Sequence, residues 1–416
     1  MNRLRNVIRA RLQRLAGNVR LHQLAGRLLR RREFRGDGSI RNAQRILILK
    51  VDEIGDVVLA TGFFRSIRRQ CPQARITVML RERCAEMIRV TGLADEILIL
   101  PDDWRGIPPS PRILLKIARQ ALKQWGTKPP DWVLIPRSPV DFANVSYYAN
   151  WTRGRNICAH SSFCSDSQPD RSPLCTLIVA GNEPVHELDM HRRMLGFLGL
   201  ENGDCAPEIL VPKHEQDMVD NLLALRGAGS CLVAFGVGAS DDGRRWPAEK
   251  FAGLASALAA ARPGLTAVIV GGAEDAAIGQ TVFNASPNSV INFAGQLSLL
   301  QTAALLRRCL VYAGNDTGPM HMAAALGAVV VEISQHPKDG DRTSYNSPAR
   351  FGPVASWSRI LQPEPLEPGC ATGCKKSYAH CITNINVEDV TKAVCMALER
   401  KSVEVGAQGF PVQRPA

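Results

Sequence analysis

No stretch of this chain approaches the ~18 consecutive apolar residues of a membrane span. Arg interrupts the N-terminal apolar residues throughout, so the apolar core of a secretion signal is missing too. These two absences predict a cytosolic protein. The Gly-x-x-x-x-Gly-Lys-Ser/Thr loop of a nucleotide triphosphatase does not occur. Gly236-Val-Gly238 lacks the further Gly of a dinucleotide fingerprint, since Asp241 stands in its place, and this argues against a nicotinamide enzyme. His186-Glu-Leu-Asp-Met-His191 brings its second His one position too late for the zinc-protease HExxH, and no pair of carboxylates has a spacing that demands a divalent metal.

What is present is the composition of an ordinary globular protein. The 416 residues are 45% hydrophobic and 22% charged, enough for two domains with cores. The 12 Cys are scattered, as expected of reduced core thiols, except for Cys370, Cys374 and Cys381. These three, with His380, are read as packed thiols or as a structural metal site, and packed thiols are favoured because CxxxC with a lone His is an uncommon ligand pattern.

The net charge of +12 is concentrated at one end. Residues 1–45 hold 13 Arg, no Lys, and two acids, Glu33 and Asp37, a net +11 that leaves +1 for the rest of the chain. Leu4, Ile8, Leu12, Leu15 and Val19 share one helical face among these arginines. A basic amphipathic helix of this kind predicts attachment to an anionic membrane surface; a helix packed on its own domain and a transit peptide are the alternatives. No aromatics interleave to stack on bases, so nucleic acid is not expected as a partner.

From Arg45 onward short apolar strands alternate with helical stretches. Ile46–Leu49, Ile76–Leu80, Glu96–Leu100 and Trp132–Ile135 are predicted as buried parallel strands in a first half. Cys231–Phe235, Thr266–Val270, Val290–Phe293 and Ala328–Ile333 are predicted in a second half. The predicted fold class is α/β, two Rossmann-like doubly wound domains facing a central cleft. The expected organisation is a basic arm over 1–44, a first domain over 45–205, a linker over 206–229 and a second domain over 230–385. A helix over 386–400 and a disordered tail over 401–416 follow. Residues 150–185 show no clear period.

Four constellations carry chemistry. Asp56 opens the first helix beside Lys50 and Gly55, and reads either as a general base or as a helix cap. Arg244 and Arg245 precede Trp246-Pro247 and read as diphosphate ligands or as exposed arginines. Glu274 or Asp275 follows a strand and a Gly-Gly turn, where an acid binds ribose hydroxyls or merely starts a helix. Tyr312-Ala-Gly-Asn-Asp-Thr-Gly-Pro-Met-His-Met-Ala-Ala-Ala-Leu-Gly327 reads as strand, tight turn and helix. Asp316 or Thr317 is placed at the cap, Pro319 in the first turn and Gly327 at the stop. Such a helix start favours an anion, with His321 beside it.

Taken together, these stretches resemble glycosyltransferase family 9, the heptosyltransferases of lipopolysaccharide assembly. The match rests on Arg45-Ile-Leu-Ile-Leu-Lys-Val-Asp-Glu-Ile-Gly-Asp-Val-Val58, on Gly238-Ala-Ser with Arg245-Trp-Pro247, on Gly314–Gly327, and on the Cys cluster leading into Ile385-Asn-Val-Glu-Asp-Val390. The resemblance implies a GT-B architecture and inverting, metal-independent sugar transfer. The donor is a nucleotide-sugar, ADP-sugar favoured, and no cofactor is needed. The acceptor is a lipid-linked or lipopolysaccharide-type glycan at the inner face of the cytoplasmic membrane. It implies Asp56 as catalytic base. Arg244, Glu274, Asp316, Thr317, Gly318, Met320 and His321 are then placed around the donor, and Lys50 and Gly55 at the acceptor. The chain departs from the family pattern at Gly62 and Val329, where Pro is usual, and over Glu332–Gly340, so donor base and sugar stay open. A GT-B sugar-nucleotide epimerase or hydrolase, or a non-catalytic membrane-surface scaffold, are the alternative functions.

Overall fold

Arg45–Leu49 (β1) is apolar on both faces because helices cover both sides of the sheet it centres. The structure, a computed structural model, describes residues 39–101, 111–137, 145–161, 177–180, 185–201, 203–344 and 346–408. Residues 1–38 of the predicted basic arm and the end of the predicted tail lie outside these residues, as do parts of the 150–185 stretch.

Two units emerge. The first comprises Met1–Glu53 and Ala60–Cys205; the second comprises Ile54–Leu59 and Ala206–Ala416. In the first, β1 is joined by Arg75–Leu80 (β2), Glu96–Ile99 (β3), Trp132–Ile135 (β4), Asn156–Ser161 (β5) and Leu177–Ala180 (β6). The order is β3-β2-β1-β4-β5-β6 and every pairing is parallel. The helices are Ile54–Gln70 (α1), Glu82–Arg89 (α2), Pro111–Trp125 (α3), Val145–Trp151 (α4) and Glu187–Phe197 (α5). Leu47, Leu49, Val133, Ile135, Ile117, Trp125 and Tyr148 share one core on this sheet.

The second unit repeats the plan. Its strands are Cys231–Gly236 (β7), Leu265–Val270 (β8), Val290–Asn292 (β9), Val311–Asn315 (β10), Val329–Ile333 (β11) and Ser358–Leu361 (β12). They run β12-β11-β10-β7-β8-β9, all parallel. Its helices are Lys213–Leu225 (α6), Ala248–Ala261 (α7), Ala276–Ala285 (α8), Leu299–Arg308 (α9), Gly318–Ala325 (α10), Pro348–Phe351 (α11) and Val387–Gln408 (α12). Counted from each unit's first strand, both sheets have the doubly wound order 3-2-1-4-5-6. The order reverses between β1 and β4 and again between β7 and β10, and crevices at the carboxyl ends of such strand pairs are where this fold binds ligands.

Several expectations need correction. Helix α12 continues to Gln408, so residues 401–408 are not a disordered tail. Lys401 Nζ donates to Gly327 O at 2.8 Å and Ser402 Oγ to Leu398 O at 2.8 Å, bonds that hold the helix past its last buried apolar turn. The predicted linker carries a helix. It contains α6, whose Asp220 meets Arg308 of α9 at 3.2 Å, and it belongs to the second unit from Ala206 on. The sequence pattern left β5, β6, α4, α11 and β12 unread. β12 (Ser-Arg-Ile-Leu) is half exposed at the sheet edge and so has no apolar run to betray it, while β5 buries His160 in place of an aliphatic residue. Among the described residues no helix is long and apolar enough to cross a membrane.

Candidate active site

In the second unit the strand-order reversal is built by two loops tied together by one side chain. Asn315 ends β10, and its Nδ2 donates to Val237 O and Gly238 O beyond β7, both at 3.0 Å. Its Oδ1 accepts from Trp246 N at 3.0 Å. Asn315 was part of the predicted motif but was not singled out; only its three partners across the chain reveal that it positions the site. Gly236 is required beside it, because a Cβ there would lie 1.8 Å from the Tyr312 hydroxyl.

The two loops bring Arg244 onto Asp316. Arg244 Nη2 lies 2.5 Å from Asp316 Oδ2 and 3.0 Å from Asp316 O. Asp316 precedes α10, whose N-cap is Thr317, with Pro319 in the first turn. The first amides of a helix have no carbonyl partner within it, so this end presents N–H groups and positive dipole next to a guanidinium. A helix start of this kind favours an anion. Thr317 and Gly318 are half-buried at this mouth. His321 is 5% exposed and its Nε2 is 3.9 Å from Asp316 Oδ1. Met320 was expected to border the donor. Its side chain is fully buried.

The two predicted basic residues part company. Arg245 is neither an exposed arginine nor positioned as a phosphate ligand: its Nη1 pairs with Asp275 Oδ1 at 2.6 Å and its Nη2 donates to Ala239 O at 3.1 Å. The acid pair divides likewise. Asp275, 3% exposed, holds Arg245 and accepts from Gly272 N at 2.9 Å. Glu274 is exposed just beyond the carboxyl end of β8, free to turn toward solvent.

One buried acid was not anticipated as part of this site. Glu332 on β11 is 1% exposed. Burial, and then the charge of Asp316, push its carboxyl well above the usual range, against a hydrogen bond from Ser334 and the charge of Arg244. The native protein therefore keeps a proton that the unfolded chain has released, and stability falls as pH rises from the ordinary carboxylate range through the raised native value. Glu332→Gln removes this titration. The substitution is expected to raise the melting temperature more at about pH 8 than at about pH 5. Parallel melting profiles of variant and wild type across that range would show that Glu332 does not titrate this way.

The first turn of α1 belongs to the second unit, although the rest of that helix is in the first. A Cβ on Gly55 would lie 2.5 Å from His321 Cδ2, so Gly55 allows close approach of backbone to His321. Asp56 is the third residue of the helix, half-buried. The N-cap is Glu53, so the alternative in which Asp56 is a plain cap falls away.

Lys50, also expected at the acceptor, is 1% exposed. Its Nζ lies 3.0 Å from Pro136 O and 3.3 Å from Asp52 Oδ2. Asp52 in turn meets Arg137 at 2.8 Å. Burial alone would raise the Asp52 carboxyl, but Arg137 and Lys50 outweigh it and hold it below its ordinary value. Lys50 is thus a buried strut at the carboxyl ends of β1 and β4, where the first sheet reverses its order. Close by, His160, Glu187 and His191 form a buried set. His186 caps α5, accepting from Leu188 N at 3.2 Å, and His191 is fully buried. Burial, then the charge of Lys50, hold His191 down to about 3, so it stays neutral at ordinary pH.

A family model described as glycosyltransferase family 9 (heptosyltransferase) matches residues 186–339, the span from α5 through the loop after β11. The chain is 24% identical over 301 residues to lipopolysaccharide heptosyltransferase 2 of Salmonella typhimurium, covering 70% of this chain and 82% of that protein. It is 29% identical over 299 residues to lipooligosaccharide heptosyltransferase 2 of Haemophilus influenzae, covering 69% and 82%. The crystal structure of the glycosyl transferase family 9 protein from Veillonella parvula superposes with a TM-score of 0.69 at 22% identity, over 86% of this chain and 98% of that one. The fold is therefore GT-B, and the chain is a glycosyltransferase similar to the family 9 heptosyltransferases.

Proposed function

We propose that this protein transfers a heptose or related sugar from a nucleoside-diphosphate donor, ADP-sugar favoured, to a lipopolysaccharide-type acceptor, with inversion and no metal in the transfer step. The observation that carries this reading is the Arg244–Asp316 pair at the start of α10, an anion site at a strand-order reversal. Asp56 takes the proton of the acceptor hydroxyl as that oxygen attacks the anomeric carbon. The bond from this carbon to the diphosphate breaks, and the charge developing on the leaving group falls to Arg244 and the α10 amides. Glu274, beyond β8, is assigned to the donor ribose, and Thr317, Gly318 and His321 to the diphosphate and sugar. The Salmonella and Haemophilus relatives, both named for heptosyl transfer, support the sugar class.

A thermal-shift panel of ADP-, UDP- and GDP-sugars tests the assignment. A ligand that binds only the native state stabilises it by ~2.7 kcal/mol at 100 times its dissociation constant. The ADP-sugar is expected to raise the melting temperature, and Arg244→Ala to abolish most of that rise. No response to any nucleotide-sugar, or an undiminished response in Arg244→Ala, would remove the donor site from these loops.

A further inference from the structure

Four side chains outside the transfer site converge between Pro368 and Asn384. Cys370 closes a short 3-10 turn, Pro368–Cys370; Cys381 opens another, Cys381–Asn384; Cys374 and His380 lie between them. The three sulfurs are 4%, 6% and 0% exposed. His380 Nδ1 is 3.8 Å from Cys370 Sγ, 3.5 Å from Cys374 Sγ and 3.3 Å from Cys381 Sγ. Cys370 and Cys374 Sγ are 3.9 Å apart, and all four ligand atoms lie within 4.8 Å of one another.

These separations match a tetrahedral metal site. Metal–sulfur bonds of ~2.3 Å and a metal–nitrogen bond of ~2.0 Å put tetrahedral neighbours ~3.8 Å apart for two sulfurs and ~3.6 Å for sulfur and nitrogen. A disulfide would need ~2.05 Å, and none of the three cysteines is in one. The surroundings are also those of a metal site. His380 turns its other nitrogen, Nε2, to Glu367 Oε1 at 3.4 Å, the carboxylate that fixes the tautomer and ring plane of a ligating histidine. Leu366 N donates to Cys381 Sγ at 3.5 Å, a backbone bond that stabilises a thiolate. The other three-ligand group among the described residues, His160–Glu187–His191, has no sulfur and stands beside the Lys50 ammonium, which opposes a cation there.

We propose that Cys370, Cys374, His380 and Cys381 bind one thiophilic divalent metal, zinc or ferrous iron, as a closed structural site. Four protein ligands leave no open position, so the metal clips a loop and does no chemistry on the sugar. The clipped loop braces the second unit. Cys374 O accepts from Gln335 Nε2 at 3.3 Å, beyond β11. Ile385 O, just after Cys381–Asn384, accepts from Trp246 Nε1 at 3.0 Å. A Cβ on Gly243 would lie 2.3 Å from Lys376 O, so the turn that carries Arg244 rests directly on the clip. The metal site stands independently of the donor assignment.

Metal content of the full chain decides this. Protein grown with zinc and iron supplied and purified without chelator is expected to carry about one metal atom per chain by elemental analysis, and the spectrum separates iron from colourless zinc. A mercurial thiol reagent is expected to release that metal as it titrates three thiols, and to lower the melting temperature by roughly 5 °C or more. Cys374→Ser and His380→Ala should retain less than about a tenth of the metal, while Cys395→Ser, on α12, should retain all of it. If the variants do not fold, dialysis of wild-type protein against zinc and against ferrous iron still decides. Folded wild-type protein that binds neither metal, or Cys374→Ser with unchanged content, overturns the proposal.

Discussion

Asp56→Asn is expected to slow sugar transfer by roughly 10²–10⁴-fold while leaving donor-induced thermal stabilisation unchanged. The two side chains have nearly the same volume, and Asn preserves the first turn of α1, which Asp56 does not cap. What Asn cannot do is accept the acceptor's proton. A general base acts only in the transition state, so the loss should fall on turnover and not on donor binding. The position fits this role. Asp56 is half-buried in the stretch that belongs with the second unit, next in sequence to Gly55, whose bare backbone admits His321. Turnover measured at saturating donor and acceptor settles it. A rate within about tenfold of wild type would mean that another group, or solvent, receives the proton.

Asp52→Ala should destabilise the first unit by about 3–5 kcal/mol, the cost typical of removing one partner from a buried ion network. Lys50 and Arg137 are 1% and 6% exposed, and each would keep a charge in the interior without its main counterion. In a unit of this size the melting transition should fall by about 10 °C. The pH dependence has a definite sign. The native Asp52 carboxyl titrates below its ordinary value, so its contribution is present above the unfolded carboxylate range and is lost as pH falls through the lower native value. The gap between variant and wild type should therefore narrow in acid, below about pH 4. Lys50→Met is the informative companion. It removes a buried charge and keeps apolar volume, so a smaller loss than that of Asp52→Ala is expected. A loss of less than about 1 kcal/mol for Asp52→Ala would show that the cluster is no better than break-even and that water compensates the remaining charges.

The residues of the site differ in how far the sequence foretold them. Arg244 was expected to meet phosphate, and it is paired with Asp316 at the start of α10. Arg245 is adjacent and chemically identical, yet it is bound to Asp275 and to loop carbonyls. Nothing in the dipeptide separates the two; the direction in which the 3-10 turn Asp242–Arg244 sends each side chain does. Lys50 and Met320 were placed at ligands by the family resemblance, and both side chains are buried. A motif marks a loop, and burial decides which of its side chains reach a substrate.

By itself the sequence determined the alternation of apolar strands with helices, and hence two parallel α/β halves. It also determined the strand–turn–helix from Tyr312 to Gly327. These features rest on periodicity, capping and turn chemistry, which act over a few residues and so can be read in a short window. Only the tertiary structure decided which distant groups meet. Arg244 and Asp316 are 72 residues apart, Lys50 and Pro136 86 apart, and Trp246 and Ile385 139 apart. It likewise decided that Cys370, Cys374, His380 and Cys381 point their ligand atoms at one another, although the four are close in sequence. The strength of a charge pair, a ligand set or an edge strand depends on separation in space and on the water excluded around it. Local pattern carries neither quantity, and the packing of the two sheets with their helices supplies both.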